Sequence, residues 1–254
     1  MPPSGPPTEP EIWKIARRTT DIIQSKLTRN VCLFGSAACS LWTNIRRVPN
    51  VRLSYHLALS ILSLLKGFVF KTQDIDIVVS GEELDAENIK EVIVGADDRY
   101  YLLRSRQRGA THQILYCRLP GWKTDPGRCV KVDILVSPTL GLPDIPNCWD
   151  GLDAVLINCT PIMPLFDLLV MKTQGWWDHR TSHRSDFRAK ESADVSDILA
   201  LLERAREEGV SWDDEVYIFC RHSEEFLDRA LALANRFVRV YGGHQQWRAL
   251  GLPV

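Results

Sequence analysis

Two short stretches, Gln73-Asp74-Ile75-Asp76-Ile77-Val78-Val79 and Lys131-Val132-Asp133-Ile134-Leu135-Val136, constrain the fold of this 254-residue chain more than any other part of it. Side chains alternate across a strand with a period of two, so Asp74 and Asp76 share one face while Ile75 and Ile77 share the other. Strands patterned this way bury their apolar faces best side by side. Residues near 12–158 are therefore expected to form an α/β domain in which the two acidic strands are neighbours, with Asp74, Asp76 and Asp133 lining a cleft. Three converging carboxylates form an oxygen-rich set suited to Mg2+; without a cation they raise one another's pKa. The same alternation also arises when the acids of half-buried strands simply face water.

Upstream, Asn30-Val31-Cys32-Leu33-Phe34-Gly35-Ser36-Ala37-Ala38 reads as an apolar strand that ends in a tight turn and opens a helix. Gly35 permits a close backbone approach, Ser36 carries a hydroxyl, and the free N–H groups of the helix start point towards an anion. A plain turn with a helix cap accounts for the same pair.

Taken together, Gly35-Ser36, Asp74-Ile75-Asp76 and Asp133 resemble the nucleotidyltransferase superfamily with the polymerase-beta-like minimal fold, over roughly residues 12–205. The resemblance implies an α/β (α+β) fold: a small mixed sheet with flanking helices and a carboxy-terminal helical region. It implies that Asp74 and Asp76 hold two metal ions, Mg2+ or Mn2+. It further implies that Asp133 holds the metal nearer the attacking hydroxyl and that Gly35 and Ser36 hold the triphosphate of a nucleoside triphosphate donor. The family places its Asp-x-Asp strand a short distance after the Gly-Ser turn, whereas here Ala37–Gln73 intervene. An insertion near 39–68, including the apolar stretch Leu53–Leu65, explains the difference. Each doubling of loop length costs only about 0.6 kcal/mol, and the stretch is too short and too broken by His56 and serines to span a membrane. It is expected to pack on the sheet or cover the nucleotide site.

After Cys159-Thr160-Pro161 the pattern turns helical. Pro164–Lys172 is apolar, and Lys190–Leu202 has a helical repeat that places Val195, Ile198, Leu199 and Leu202 on one face, with Gly209 as terminator. These helices resemble the carboxy-terminal parts of minimal and toxin-type nucleotidyltransferases, with Lys172, Arg180 or Arg184, and Lys190, Asp194 and Asp197 as the matching residues. The resemblance implies that Lys172 or Lys190 contacts the phosphates. From the residues alone, Lys172 equally suits a surface helix, and Lys190 suits a pair with Asp194 one turn away. Trp176-Trp177 reads either as packing between subdomains or as a lid able to stack on a base. His179 and His183, four apart, lack the glutamate of a metalloprotease motif. A last amphipathic helix includes Phe226, Leu227, Leu231, Ala234 and Phe237.

Composition bounds the remainder. With 31 basic and 32 acidic residues the chain is not a general nucleic-acid coat. Yet residues 99–131 carry eight basic side chains against the single acid Asp125. They read as a strand meander extending the acidic sheet, its charges either attracting polyphosphate or RNA or protecting sheet edges. Cys32, Cys117, Cys129 and Cys159 sit in or beside apolar runs, as core residues do. The odd cysteine count and the absence of a secretory leader suit an intracellular setting, cytoplasm or nucleus. Residues 1–11 read as a disordered tail and 159–254 as a helical region closing the cleft. The expected activity is Mg2+-dependent transfer of a nucleoside monophosphate from its triphosphate to an acceptor hydroxyl on RNA, a small molecule or a protein. An inactive nucleotide- or protein-binding module of the same fold, or a metal-dependent phosphodiester hydrolase, is the alternative. No membrane partner is expected, and the residues do not specify the acceptor or the oligomeric state.

Overall fold

The computed structural model describes residues 5–44, 74–106, 109–137, 155–157, 159–212 and 222–254. The expected insertion lies mostly outside them; its described part, Cys39–Asn44, continues a helix. Helix α1 (Glu9–Lys26) opens on a capping box in which the Thr8 N–H donates to Glu11 Oε2 at 2.9 Å. Pro10 stands in the first turn, where its missing N–H costs nothing. The helix thus begins inside the segment read as a disordered tail, and Gly5 is held as well, its carbonyl accepting from Arg128 Nη1 at 3.0 Å. Proline-rich composition hid a capped helix start.

The chain continues through β1 (Val31–Phe34), α2 (Gly35–Asn44), β2 (Asp74–Val79), α3 (Ala86–Ala96), β3 (Tyr100–Arg104), β4 (Gln113–Arg118), β5 (Cys129–Val136), β6 (Val155–Ile157) and β7 (Thr160–Ile162). These strands form one mixed sheet in the order β3-β4-β5-β2-β1-β7-β6. The expected neighbours are neighbours: β2 and β5 run parallel, with Asp74 opposite Lys131 and Asp76 opposite Asp133. The expected meander is also present, β3, β4 and β5 pairing antiparallel in sequence order.

Alternation sorts the two faces. Ile75, Ile77, Leu115, Val130 and Val132 are buried on the back, where α1 and α3 contact the strands, each such side chain contributing about 1.5–3 kcal/mol. Thr19 of α1 shares a 2.8 Å hydrogen bond with the buried Tyr100 hydroxyl of β3. On the front, α2 contacts β1 and β2 on one side and the carboxy-terminal helices on the other. Those helices are α4 (Leu165–Thr181), α5 (Ser185–Arg188), α6 (Glu191–Glu208), α7 (Glu224–Tyr241) and α8 (His244–Ala249). The whole is an α+β fold with a small mixed sheet, flanking helices and a carboxy-terminal helical region. None of the described helices is long and apolar enough to cross a membrane.

Trp176 is fully buried, with its ring 5.1 Å from that of Phe237 and 5.8 Å from that of Trp177. The tryptophan pair therefore packs α4 against α7, within the carboxy-terminal helical region rather than between the two subdomains. Gly209 ends α6 in the left-handed region at φ 69°, as expected. Two expectations fail. Leu199 is 42 % exposed, because the inward stripe of α6 runs through Asp194, Asp197, Ile198, Leu201 and Leu202. Cys159 is exposed rather than a core residue, since it takes a positive φ of 61° in the tight connection leading into β7.

Candidate functional site

Strand register brings the three acids together. Asp76 and Asp133 are directly opposite on adjacent parallel strands, and Asp74 lies two residues back on the same face. Asp74 is exposed, while Asp76 and Asp133 are half-buried. Gly35 closes the other side. Phe34 is paired with Asp76, and Gly35 follows at φ +66°, so a β-carbon there would stand 2.0 Å from Asp76 Oδ2. The carboxylate occupies the space that any side chain at Gly35 would need. That close approach is the reason glycine stands at the strand-to-helix turn.

Ser36 leads to a second group of charges. Its hydroxyl donates to Asp197 Oδ2 at 3.4 Å and accepts from Lys172 Nζ at 3.3 Å. Lys172 is buried on α4 and lies 2.6 Å from Asp197 Oδ2 and 3.4 Å from Asp194 Oδ1. Asp194 Oδ2 is in turn 2.5 Å from His179 Nδ1. Lys172 is thus no surface residue. Lys190, at the start of α6, does not pair with Asp194 either; its ammonium lies 5.2 Å from the Phe187 ring centroid, and its charge acts on Asp74. Arg180 is engaged by Glu191, and Arg184 by Asp186 at 2.6 Å.

The electrostatics of the acids follow from this placement. Burial pushes the Asp76 carboxyl up to about 7, Asp133 and Asp74 push it the same way, and Lys172 and Lys131 oppose them. Asp74 is also raised, chiefly by burial, against the pull of Lys131. Burial works against the Lys172 charge, but Cys39, Asp197 and Asp194 outweigh it and hold the ammonium above its usual range. Lys131, one pleat from Asp133, forms an ion pair with it. Alternation along β5 puts Lys131 and Asp133 on one face, so this partner was legible in the sequence although the acids alone drew attention.

The donor set suits a hard divalent cation in kind: oxygen ligands, mutual repulsion, and an acid whose pKa is raised by burial and by its neighbouring carboxylates. Its arrangement is incomplete. Among the described residues no group of three His, Cys, Asp or Glu side chains is already disposed to hold a metal ion, and Asp133 is turned onto Lys131. Asp74, Asp76 and Asp133 are the residues that could hold such a cation. No protein-family model, curated protein or solved structure matches the chain.

Proposed function

We propose that this protein is a Mg2+- or Mn2+-dependent nucleotidyltransferase, moving a nucleoside monophosphate from a nucleoside triphosphate to an acceptor hydroxyl. The observation that carries the reading is the placement of Asp76 opposite Asp133 and against Gly35. This puts the acids beside the start of a ten-residue helix. The first turn of α2 presents free N–H groups suited to the triphosphate. Ser36 and the buried Lys172 add a hydroxyl and a fixed positive charge at the same place. Bound Mg2+ supplies neutralisation of the phosphate oxygens and a lower pKa for the acceptor hydroxyl.

The acceptor oxygen forms a bond to the α-phosphorus as the bond from that phosphorus to the bridging oxygen breaks, and pyrophosphate leaves. Asp133 is placed to take the hydroxyl proton when Lys131 has let it go. The chain's larger contribution is to hold donor and acceptor in line. Calorimetric titration of ATP with Mg2+ into wild type, Asp74→Ala and Asp76→Ala tests the reading: binding by wild type and its loss in both variants is expected. Equal binding by all three would remove the site.

The Lys131–Asp133 pair favours one competing reading, a module of the same fold that binds nucleotide without turnover. Labelled ATP incubated with the protein and a cell lysate separates the two. Label retained on an acceptor supports transfer, release of nucleoside monophosphate supports hydrolysis, and intact ATP with normal binding supports the inactive module.

A further inference from the structure

The face of the sheet that carries the acids does not end at β5. Its pairing continues from Lys131 to Tyr116 on β4 and from Tyr116 to Tyr101 on β3, so these side chains share the face of Asp74, Asp76 and Asp133. Arg118 lies on that face as well, paired with Cys129. Here the surface is aromatic and cationic. The Tyr101 and Tyr116 rings are stacked with centroids 5.7 Å apart and 22° between planes. The Arg118 guanidinium lies 4.4 Å from the Tyr101 centroid and 4.6 Å from that of Trp122. Trp122, in the turn between β4 and β5, is 38 % exposed.

The assembly is held rigid from behind. Arg118 Nη1 donates to the Asp98 carbonyl at 2.9 Å, which fixes the guanidinium between its two rings. The Trp122 turn is pinned by the fully buried Arg128, which donates to the Pro120 carbonyl at 2.9 Å and to the Gly5 carbonyl at 3.0 Å and pairs with Glu11. A stacked row of this kind, preorganised and partly open, loses little entropy when a planar ligand joins it. Lys123 is exposed beside Trp122 in the same turn, so with Arg118 the surroundings suit an anionic chain.

We infer that Tyr116, Tyr101, Arg118 and Trp122 form a stacking platform for a single-stranded nucleic acid whose terminal hydroxyl is the acceptor. The inference rests on the transferase reading for the word acceptor, but the binding surface stands on its own geometry. Its position decides between the two substrates. Gly35, Ser36 and Lys172, suited to the donor phosphates, lie on the β1 side of the acids. The platform lies on the opposite flank, across β5. With about 3.3 Å of rise per residue and about 4.8 Å between strands, the backbone at Tyr116 is about 8 Å from that at Asp133, and at Tyr101 about 12 Å. Nucleotides preceding the terminal one reach this row while the terminal hydroxyl reaches the acids. Base-to-ring stacking tolerates any sequence, and arginine adds cation–π attraction and a phosphate contact.

The test uses the full chain and a fluorescein-labelled 12-nucleotide RNA, read by anisotropy, beside calorimetry with ATP and Mg2+. Wild type is expected to bind the single strand, to bind the same RNA less well as a duplex, and to weaken as salt rises. Tyr116→Leu and Trp122→Leu are each expected to lower RNA affinity about tenfold or more. Arg118→Gln lowers it and flattens the salt dependence, and Tyr116→Phe, which keeps the ring, restores wild-type binding. Thermal midpoints and ATP binding stay unchanged in all four. Absence of RNA binding by wild type, or wild-type affinity in Tyr116→Leu and Trp122→Leu, overturns the inference. Loss of ATP binding in the platform variants overturns it too, since the row would then hold the donor base. Loss of ATP binding confined to Asp74→Ala and Asp76→Ala, with RNA affinity intact, leaves both sites standing. Failure of wild type to bind ATP at all strikes only the transferase reading.

Discussion

Two groups of carboxylates flank the Gly35-Ser36 turn and are balanced in opposite ways. On α6, Asp194 and Asp197 are both buried, yet Lys172, Ser36 and His179 surround them with donors. On the sheet, Asp74, Asp76 and Asp133 have Lys131 as their close cation, and it serves Asp133. Burial raises the carboxyl of Asp197 as it raises that of Asp76, but Lys172 and Ser36 bond directly to Asp197 and pull it back, whereas Asp76 has the like charges of Asp133 and Asp74 beside it and is pushed up to about 7. Balanced charge in the helices ties α4, α6 and the Ser36 turn together. Unbalanced charge on the sheet is a state that a cation would relieve.

The sharpest way to break this comparison is to remove the balancing charge. Lys172→Met leaves two buried acids facing one another and is expected to destabilise the fold by about 3–5 kcal/mol, measured by urea denaturation. Lys172→Met with Asp197→Asn should recover a large part of the loss; a single variant as stable as wild type would show that the helix network is not balanced by Lys172.

The sheet acids should respond with the reverse sign. Asp76 keeps its proton in the folded protein up to about pH 7, whereas an unfolded carboxyl loses it near 3.9. Folding therefore binds a proton between these values, and stability, full below about pH 4, falls as pH rises through 7. Asp76→Asn removes that cost and is expected to stabilise the metal-free protein by about 1–2 kcal/mol at pH 8, with allowance for solvent at the cleft, and by almost nothing at pH 4. Melting curves at the two values check it; a variant less stable than wild type at pH 8 contradicts the unbalanced charge.

Added Mg2+ should act in the same direction. At ten times its dissociation constant the ion raises stability by about 1.4 kcal/mol, and the rise should vanish in Asp76→Asn. A smaller effect belongs to Lys131→Met. It breaks a partly exposed pair and costs only about 0.2–1 kcal/mol. By freeing Asp133 it should tighten Mg2+ binding in calorimetry, and weaker binding would assign Lys131 to the ligand site instead.

Much of the sheet was legible because alternation is local. Ile75 and Ile77 declare the buried face, Asp74 and Asp76 declare the other, and Gly35 marks the turn. The front of α6 was less so: a helical repeat assigns inward positions to apolar residues, and Leu199 was placed there while Asp194 and Asp197 took the core-facing stripe. Buried acids are stable only against partners from elsewhere in the chain, here Lys172 and His179, and spacing within one helix does not disclose them. The first turn of α1 was missed because its prolines suggested a tail, although Thr8 and Glu11 spell a capping box. The aromatic row was visible only in part: Tyr101 and Tyr116 alternate correctly, but their meeting depends on the β3–β4 register.

The parallel pairing of β2 with β5 also sets an order of events during folding. Residues 74–79 meet 131–136 only after the intervening α3, β3 and β4 have been passed, so that contact closes a long loop, whereas β3–β4 and β4–β5 close short ones. The meander can form early by itself; β2 must then be inserted between β5 and β1, carrying Asp76 towards Asp133. β2 is thus the strand whose entry electrostatic repulsion resists. Docking of β2 on β5 is expected to proceed fastest when a proton or a cation arrives with the strand.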